Sequence, residues 1–510
     1  MSDMTEMSEK SEKSDLKDVT DPAADSESKS KTETGIPEIP EIPEINETAG
    51  TTEGVEILTG DPRIALIKLS IPLIAAMMLM SVYNLIDAVW VAGLGSDALA
   101  AVGFTVPLII MVLGLGTGIG AGVNSLLSRL IGAGERVRAD NAAMHSFILT
   151  AAVAVLITVP GLIFLKPILL ALGAGSTIDL AFTYAQILFT GTVMFLFTEI
   201  GYAVFRSEGN MKRPMYAMAA SAVLNIILDP IFIYVLDWKI AGAAWASIIS
   251  VATVSCVMLY WFCVRKDSYF RFSWNCYRFE GKIIKDMLVV GIPASLEYFL
   301  IAIAVIVINL LLVDVASEDA VAVYTSAWTV VMVALVPLVS IATAAISVYG
   351  ANFGAGKYDN LRITLLYGVG MGIVISAVIG AFTYVFAPNI AYLFTYTEGG
   401  AHLIGDFVFF MQIMCLYYPF SALGLMANSL FQGIGKGGTS LCISICREVV
   451  FVAIFAFLLG KFMGLGQYGV WWGCVLGYII GDSVAFVWSY LYVRFKIRET
   501  LRRDEVGAAV

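Results

Sequence analysis

The sequence predicts an all-α integral membrane protein of twelve transmembrane helices, built as two repeated halves of six. Three observations carry that prediction. Of 510 residues, 59% are hydrophobic and only 14% charged, with a mean hydropathy of +0.83, whereas an ordinary soluble domain carries about 25% charged residues. Twelve apolar stretches each approach the roughly 20 residues a helix needs to cross the hydrocarbon core. The halves also repeat. Ile131-Gly132-Ala133-Gly134-Glu135 has a twin in Phe353-Gly354-Ala355-Gly356-Lys357, and Asp97-Ala98-Leu99-Ala100 in Asp319-Ala320-Val321-Ala322, both 222 residues on. Ile71-Pro72 matches Ile292-Pro293 at an offset of 221, and Phe205-Arg206-Ser207-Glu208-Gly209 matches Phe431-Gln432-Gly433-Ile434-Gly435 at 226.

The first element, residues 1–60, is a different kind of chain. It holds 16 Asp/Glu and 5 Lys/Arg, which accounts for the whole acidic balance of −10. Its Ser, Thr, Glu, Lys and Pro cannot bury enough apolar surface to offset chain entropy. We expect a disordered acidic cytoplasmic tail, with the Ile-Pro-Glu repeat at 36–44 extended. Behind it we expect an N-lobe at 61–280 with a basic linker, a C-lobe at 281–498, and a second cytoplasmic tail at 499–510.

The spans fall near 64–92, 101–128, 142–165, 181–205, 215–236 and 242–264 in the first half. The second half gives 285–313, 320–349, 363–387, 403–431, 439–460 and 469–493. Lipid offers backbone groups no water, so each must be helical. The even-numbered connections and the C-terminus hold twenty Lys/Arg, against Lys166, Lys239 and Lys461 in the odd-numbered ones. By the positive-inside rule both termini are cytoplasmic, in a multi-pass protein of the cell (plasma) membrane. The alternating Gly114, Gly116, Gly118, Gly120 and Gly122 suit close helix approach. Pro160, Pro230 and Pro337 can bend a span.

Charges inside the spans point to function, because a carboxylate at mid-bilayer costs roughly 2.5–3.5 kcal/mol on insertion scales. Asp87 lies in the first span with Tyr83 and Asn84 one turn before it. Asp229 lies in the fifth with Asn225 one turn before and Pro230 after. Residues at that spacing share a helix face, so the two helices can make an oxygen-rich pocket for a proton or a sodium ion. The repeat projects Asp87 onto Ile308 or Asn309 and Asp229 onto Phe455. The shared architecture therefore does not demand these acids. Glu199, with Tyr202 one turn on, is a further acid, which the fourth span is expected to place at the border of this pocket. In the second half, Glu297 follows Pro293 as a candidate for secondary coupling or substrate binding. Arg447, beside Glu448, is expected to make a structural ion pair with Glu297 or Asp482 across helices. No Walker A sequence or H-E-x-x-H is present, so the energy should come from a proton or sodium gradient, with no cofactor.

The run from Ser81 to Gly95 (SVYNLIDAVWVAGLG), Ala98-Leu99-Ala100-Ala101-Val102-Gly103, Asn225 with Leu228-Asp229-Pro230, and the paired Gly-Ala-Gly loops together resemble the multidrug and toxic compound extrusion (MATE) family, and its prokaryotic DinF-like branch most. The resemblance covers about residues 61–495. It implies two pseudo-symmetric six-helix lobes around a central cleft, and export of organic cations and amphipathic compounds in exchange for protons or sodium. It implies an ion-responsive site at Tyr83, Asp87, Asn225 and Asp229, with a sixth-helix hydroxyl for which Ser247 is the candidate. Where members carry amides on the fourth helix this chain has Glu199 and Tyr202, a departure that leaves ion preference and substrate charge open. Glu297 matches an acid used in other branches.

The expected mechanism is alternating access by a monomer that binds small molecules and lipid, not nucleic acid. The rival within transport is a flippase for lipid-linked oligosaccharides, whose pocket should carry several basic residues; only Arg447 is expected deep in a span. A membrane-embedded enzyme would need a clustered nucleophile or metal set, and a passive channel would not need unmatched carboxylates.

Overall fold

A computed structural model describes residues 52–265, 268–272, 277–395 and 401–508. Among the described residues there is no β-strand, and the chain is a bundle of sixteen α-helices. Ten helices are long and apolar enough to cross a membrane, and two bent pairs complete twelve spans.

Most of the predicted tail lies outside the described residues, but its end is structured. Helix α1 (Glu53–Thr59) is capped by Thr52, whose side chain accepts from the Val55 N–H, and buries Val55 and Leu58. It is amphipathic enough to dock despite the polar composition upstream. Gly54 allows the docking, because a Cβ there would sit 3.0 Å from the Gly209 carbonyl carbon. Lys357 Nζ also donates to the Thr59 carbonyl (3.4 Å).

The first half holds α2 (Pro62–Ala92), α3 (Ser96–Gly132), α4 (Arg136–Ala171), α5 (Ile178–Thr190) with α6 (Thr192–Ser207), α7 (Lys212–Pro230) and α8 (Lys239–Tyr260). Asp61 and Pro62 start α2, the Asp61 carboxylate accepting from the Arg63 N–H at 2.8 Å. The span expected at 181–205 is broken by 47° around Gly191 into α5 and α6. Directly after Pro230, which cannot donate into the helix ladder, residues Ile231–Val235 form a π-turn. Tyr234 ties that turn to α2 by donating to the Trp90 carbonyl (2.7 Å).

The second half repeats the plan with α9 (Gly281–Val315), α10 (Glu318–Gly354), α11 (Tyr358–Thr395), α12 (Ile404–Met414) with α13 (Tyr418–Gly433), α14 (Gly437–Ser444), α15 (Val452–Phe457) and α16 (Gly466–Ala508). Here α12 and α13 bend by 52°. The eleventh span is α14 and α15 joined by a π-turn at Ile445–Phe451, and a second π-turn follows at Leu458–Phe462. The linker between halves is pinned to the start of α4. There the Arg271, Arg278 and Glu280 N–H groups donate to Asp140 Oδ1, Asn141 Oδ1 and His145 Nε2.

The duplication shows in how the halves touch. Helix α2 packs on α10, and its counterpart α9 packs on α3. The same stretch of each half meets the other at this seam. Ser347 donates to Asn124 Oδ1 at 2.9 Å. A Cβ on Gly132 would overlap the Ala351 carbonyl, and one on Gly354 the carbonyl of Arg129, the repeat partner of Ala351. Along α9, a Cβ on Gly118 would overlap Ser295, and one on Gly122 the Met287 carbonyl. Lipid tails are as apolar as leucine, so such small-residue contacts rather than hydrophobic transfer hold these helices together. Four apolar clusters fill the bundle among the described residues; one, around Val123, Phe205 and Met258, also takes in Met287 and Val348 of the second half, and another lies around Tyr324, Phe410 and Trp471.

Candidate functional site

Helices α2, α7 and α8 converge in the first half, and they bring five of the sequence-selected residues together. Asp229 is fully buried and Asn225 nearly so. Both stand on one face of α7. In the orientation that satisfies both ends of its amide, Asn225 donates to Asp229 Oδ2 at 2.9 Å and accepts from the Ser247 N–H at 3.3 Å. Asp87, from α2, reaches hydrogen-bonding contact with Asp229. Tyr83, one turn earlier, shares a hydrogen bond with the Ser247 side chain and faces both carboxyl groups. Oδ1 of Asp87 and Oδ1 of Asp229 have no hydrogen-bond partner among the described residues.

Two carboxyl groups in contact cannot both be ionised without a proton or cation between them. Buried acceptors without partners call for the same complement. The two acids, with Tyr83, Asn225 and Ser247 around them, can therefore take up one small cation or a shared proton. Tyr184, buried on α5, also lies beside Tyr83, Asp87 and Asp229; it has no charge and no motif to single it out in the sequence. Asn84 is exposed and makes no hydrogen bond to the pair.

The remaining candidates sit elsewhere. Glu199 and Tyr202 lie on α6, and their charged neighbour is Arg206 rather than Asp87 or Asp229. The expectation that Glu199 borders the first pocket is thus replaced by a separate cluster. Across from it on α9, Tyr298 hydrogen-bonds Thr117 of α3. The sequence placed Arg206 in a loop, but it ends α6 at 6% exposure. Arg206 is thus buried at the end of a span, whereas Arg447 lies within one.

Glu297 is the centre of a third cluster, in the second half. It accepts from Asn428 Nδ2 (2.8 Å), Gln432 Nε2 (3.3 Å) and Ser440 Oγ (2.6 Å). Ser440 also hydrogen-bonds Asn428 Oδ1, and Asn428 reaches Ser444. Reasoning from charge alone missed these amides and hydroxyls; Asn428 and Gln432, one turn apart on α13, were the available signal. Arg447 pairs with Glu448 (2.5 Å) and Asp482 (3.3 Å). Pairing between neighbours at 447 and 448 was not expected, since adjacent residues on an α-helix diverge. They lie in a π-turn, whose wider coil brings successive side chains closer in direction. Glu297 is an electrostatic neighbour of Arg447 without a direct bridge.

Two pseudo-symmetric helical lobes, with acidic and polar clusters held at membrane depth, define a multi-pass membrane transporter. The family described as MatE matches residues 72–231 and 293–458, one segment in each half. The chain belongs to this MATE family. Among curated relatives, it is 28% identical to the probable multidrug resistance protein YoeA of Bacillus subtilis, covering 83% of this chain and 92% of that one. It is 26% identical to an FAD transporter of Shewanella oneidensis (77% and 87%). It is 24% identical to the multidrug export protein MepA of Staphylococcus aureus (86% and 95%). Among solved structures, a multidrug resistance MATE family transporter in an outward-facing conformation superposes with a TM-score of 0.85 at 37% identity, covering 88% of this chain and all of that one. A MOP superfamily transporter from Pyrococcus furiosus matches at 0.85 and 37%, covering 88% and 99%.

Proposed function

We propose that the protein exports amphipathic small molecules, organic cations among them, by antiport against protons or sodium, and that Asp87 and Asp229 are its coupling site. One observation carries this: two contacting carboxyl groups, each with an unpartnered oxygen, occupy one lobe where the repeat gives the other no acid, but Ile308 or Asn309 and Phe455. Two relatives are described as multidrug export or resistance proteins, which supports drugs as substrates.

Ion entry satisfies the orphaned oxygens and cancels the repulsion between Asp87 and Asp229. Tyr83, Asn225 and Ser247 then reorganise around the neutral pair, and the π-turn after Pro230 absorbs the change in α7. The lobes rock about the α3–α10 seam. Coupling requires that ion and substrate favour different states of that equilibrium, since equal affinity for both shifts nothing. The positive-inside bias of the loops supports a cytoplasmic side for the seam and both termini in the plasma membrane. The residues of the coupling site all come from one chain, which supports a monomer, and no cofactor is needed. Arg447 serves as a structural pair. Glu297, with its amide partners, serves substrate binding or secondary coupling in the C-lobe (281–498), opposite the N-lobe (61–280).

The test uses the full chain in proteoliposomes with ethidium outside, and proton and sodium gradients imposed separately. Accumulation that follows one gradient and collapses with its ionophore is the expected result. Accumulation indifferent to both removes antiport.

A further inference from the structure

The segment that leads into each lobe crosses to the other. Thr59, at the end of α1, and Glu280, just ahead of α9, are related by the 221-residue offset that pairs Ile71 with Ile292. Lys357, just ahead of α11, donates from Nζ to the Thr59 carbonyl. His145, on α4, accepts from the Glu280 N–H (3.0 Å). Helices α4 and α11 are the third spans of their halves, so each lobe is strapped to its partner at the same place, beside the seam. The second strap is part of the chain joining the halves. Helix α1 is joined to the bundle only through Gly60 and Asp61, so it can come away as a unit.

The contacts of α1 are divided between the halves. On the first-half side, Gly54 lies backbone to backbone with the loop after α6: a Cβ there would lie 2.5 Å from the Glu208 carbonyl oxygen and 3.2 Å from the Asn210 nitrogen. Gly209, at φ +75°, returns the approach, since a Cβ there would overlap the Gly54 carbonyl. Glu53 adds an exposed pair with Lys212 at 3.9 Å, worth little in water. On the second-half side, α1 packs on α10 and Lys357 takes Thr59. Val55 and Leu58, 6% and 0% exposed, join an apolar cluster that runs from Met211 and Ala217 in the first half to Val348 and Ala351 in the second. Ala351 is the residue that Gly132 meets at the seam, so α1 and the seam share one apolar cluster.

A seven-residue helix cannot keep both sets of contacts once the lobes part here. We propose that α1 is a clasp across the seam: docked, it holds the lobes closed at this end, and its release is a step in opening them. This rests on the reading of the seam as the place where the lobes rock. Linkage makes the effect mutual, so that whatever loosens α1 opens the seam, and whatever opens the seam loosens α1 to the same degree. The contacts at stake are one hydrogen bond from a charged donor and part of two buried apolar side chains. They favour the closed seam roughly tenfold.

The test reads both directions on the full chain in detergent. Glu53 and Glu56, in the first turn of α1, are cleavage sites for a glutamate-specific protease, scored by the mass of the membrane-embedded fragment. Spin labels on Val137 and Asp359, in a background with the native cysteines changed to serine, report the seam. Leu58→Asp should open both sites to cleavage and lower the ratio of closed to open seam about tenfold. Leu58→Met, which keeps the apolar volume, should match the wild type. Gly132→Ala, which forces the seam at Ala351, should in turn speed cleavage within α1. Should Leu58→Asp fail to fold, Gly54→Val replaces it, because its side chain meets the backbone of the loop after α6. Cleavage in Leu58→Asp with an unchanged distance distribution overturns the clasp, and so does resistance to cleavage in both α1 variants. A longer distance in Gly132→Ala with wild-type cleavage also overturns it, while rocking about the seam stands. No lengthening in any variant removes the clasp and the rocking seam together.

Discussion

Replacing Gly132 with alanine should open the seam between the lobes. The added methyl would overlap the Ala351 carbonyl oxygen, and would lie 2.6 Å and 2.8 Å from the carbonyl carbon and Cα of that residue. Apolar carbons pack best at about 3.5–4.0 Å, and the opposing atoms are backbone, so no rotamer change relieves the clash. Overpacking of this kind costs about 1–3 kcal/mol. Alanine also favours the helix over glycine by about 1 kcal/mol, but Gly132 is helical in either conformation and that gain cancels. The clash exists only while the seam is closed. The ratio of closed to open seam should therefore fall roughly 5- to 150-fold. Gly354→Ala, its repeat partner, meets the Arg129 carbonyl in the same seam. One separation relieves both clashes, so the double variant should fall short of additivity. Spin labels on Val137 and Asp359, repeat-equivalent positions just beyond each loop, read the change by double electron–electron resonance. A longer distance should gain population. A folded Gly132→Ala protein with the wild-type distance distribution would refute the seam's role.

Three further outcomes are expected. Gly424→Ala pushes a methyl into Asp482 Oδ1 and parts it from Arg447; breaking a buried pair costs about 3–5 kcal/mol, so thermal unfolding in detergent should begin at clearly lower temperature, and an unshifted midpoint contradicts the pairing. Leu58→Asp places a charge where the side chain is fully buried, so α1 should undock and the chain become cleavable by protease ahead of Asp61; continued resistance would show that α1 is held by other contacts. Ser247→Ala removes the hydroxyl beside Tyr83 and should raise the ion concentration for half-maximal transport several-fold; an unchanged ion dependence would take Ser247 out of the coupling site.

Much of the fold was legible because lipid leaves a helix few alternatives and because the chain repeats itself. The offset of 222 that paired the Gly-Ala-Gly loops in the sequence also turns the contact of Gly132 with Ala351 into that of Gly354 with Arg129. The clustering of Tyr83, Asp87, Asn225 and Asp229 followed from one-turn spacing on two apolar helices. What hydropathy could not show is where a continuous apolar run bends. Gly191 breaks one span, but many other glycines here serve only close packing. The π-turns at Ile231–Val235 and Ile445–Phe451 leave no periodic trace, and the second decides which acids Arg447 meets. Arg206 looked like a loop charge because it stands two residues before Glu208-Gly209, yet it belongs to the last turn of α6 and is buried. The network around Glu297 escaped because its partners are neutral, and hydropathy alone does not separate a buried amide from a loop residue.

Asp229→Asn, assayed by two readouts on the same proteoliposomes, bears most directly on the coupling site. One readout is exchange of labelled for unlabelled substrate at equal concentrations; the other is accumulation driven by the ion gradient. Exchange should continue near the wild-type rate, because the lobes still rock, while accumulation falls to the leak of empty vesicles. If the variant concentrates substrate as well as the wild type, the carboxyl pair between α2 and α7 is not where the ion does its work.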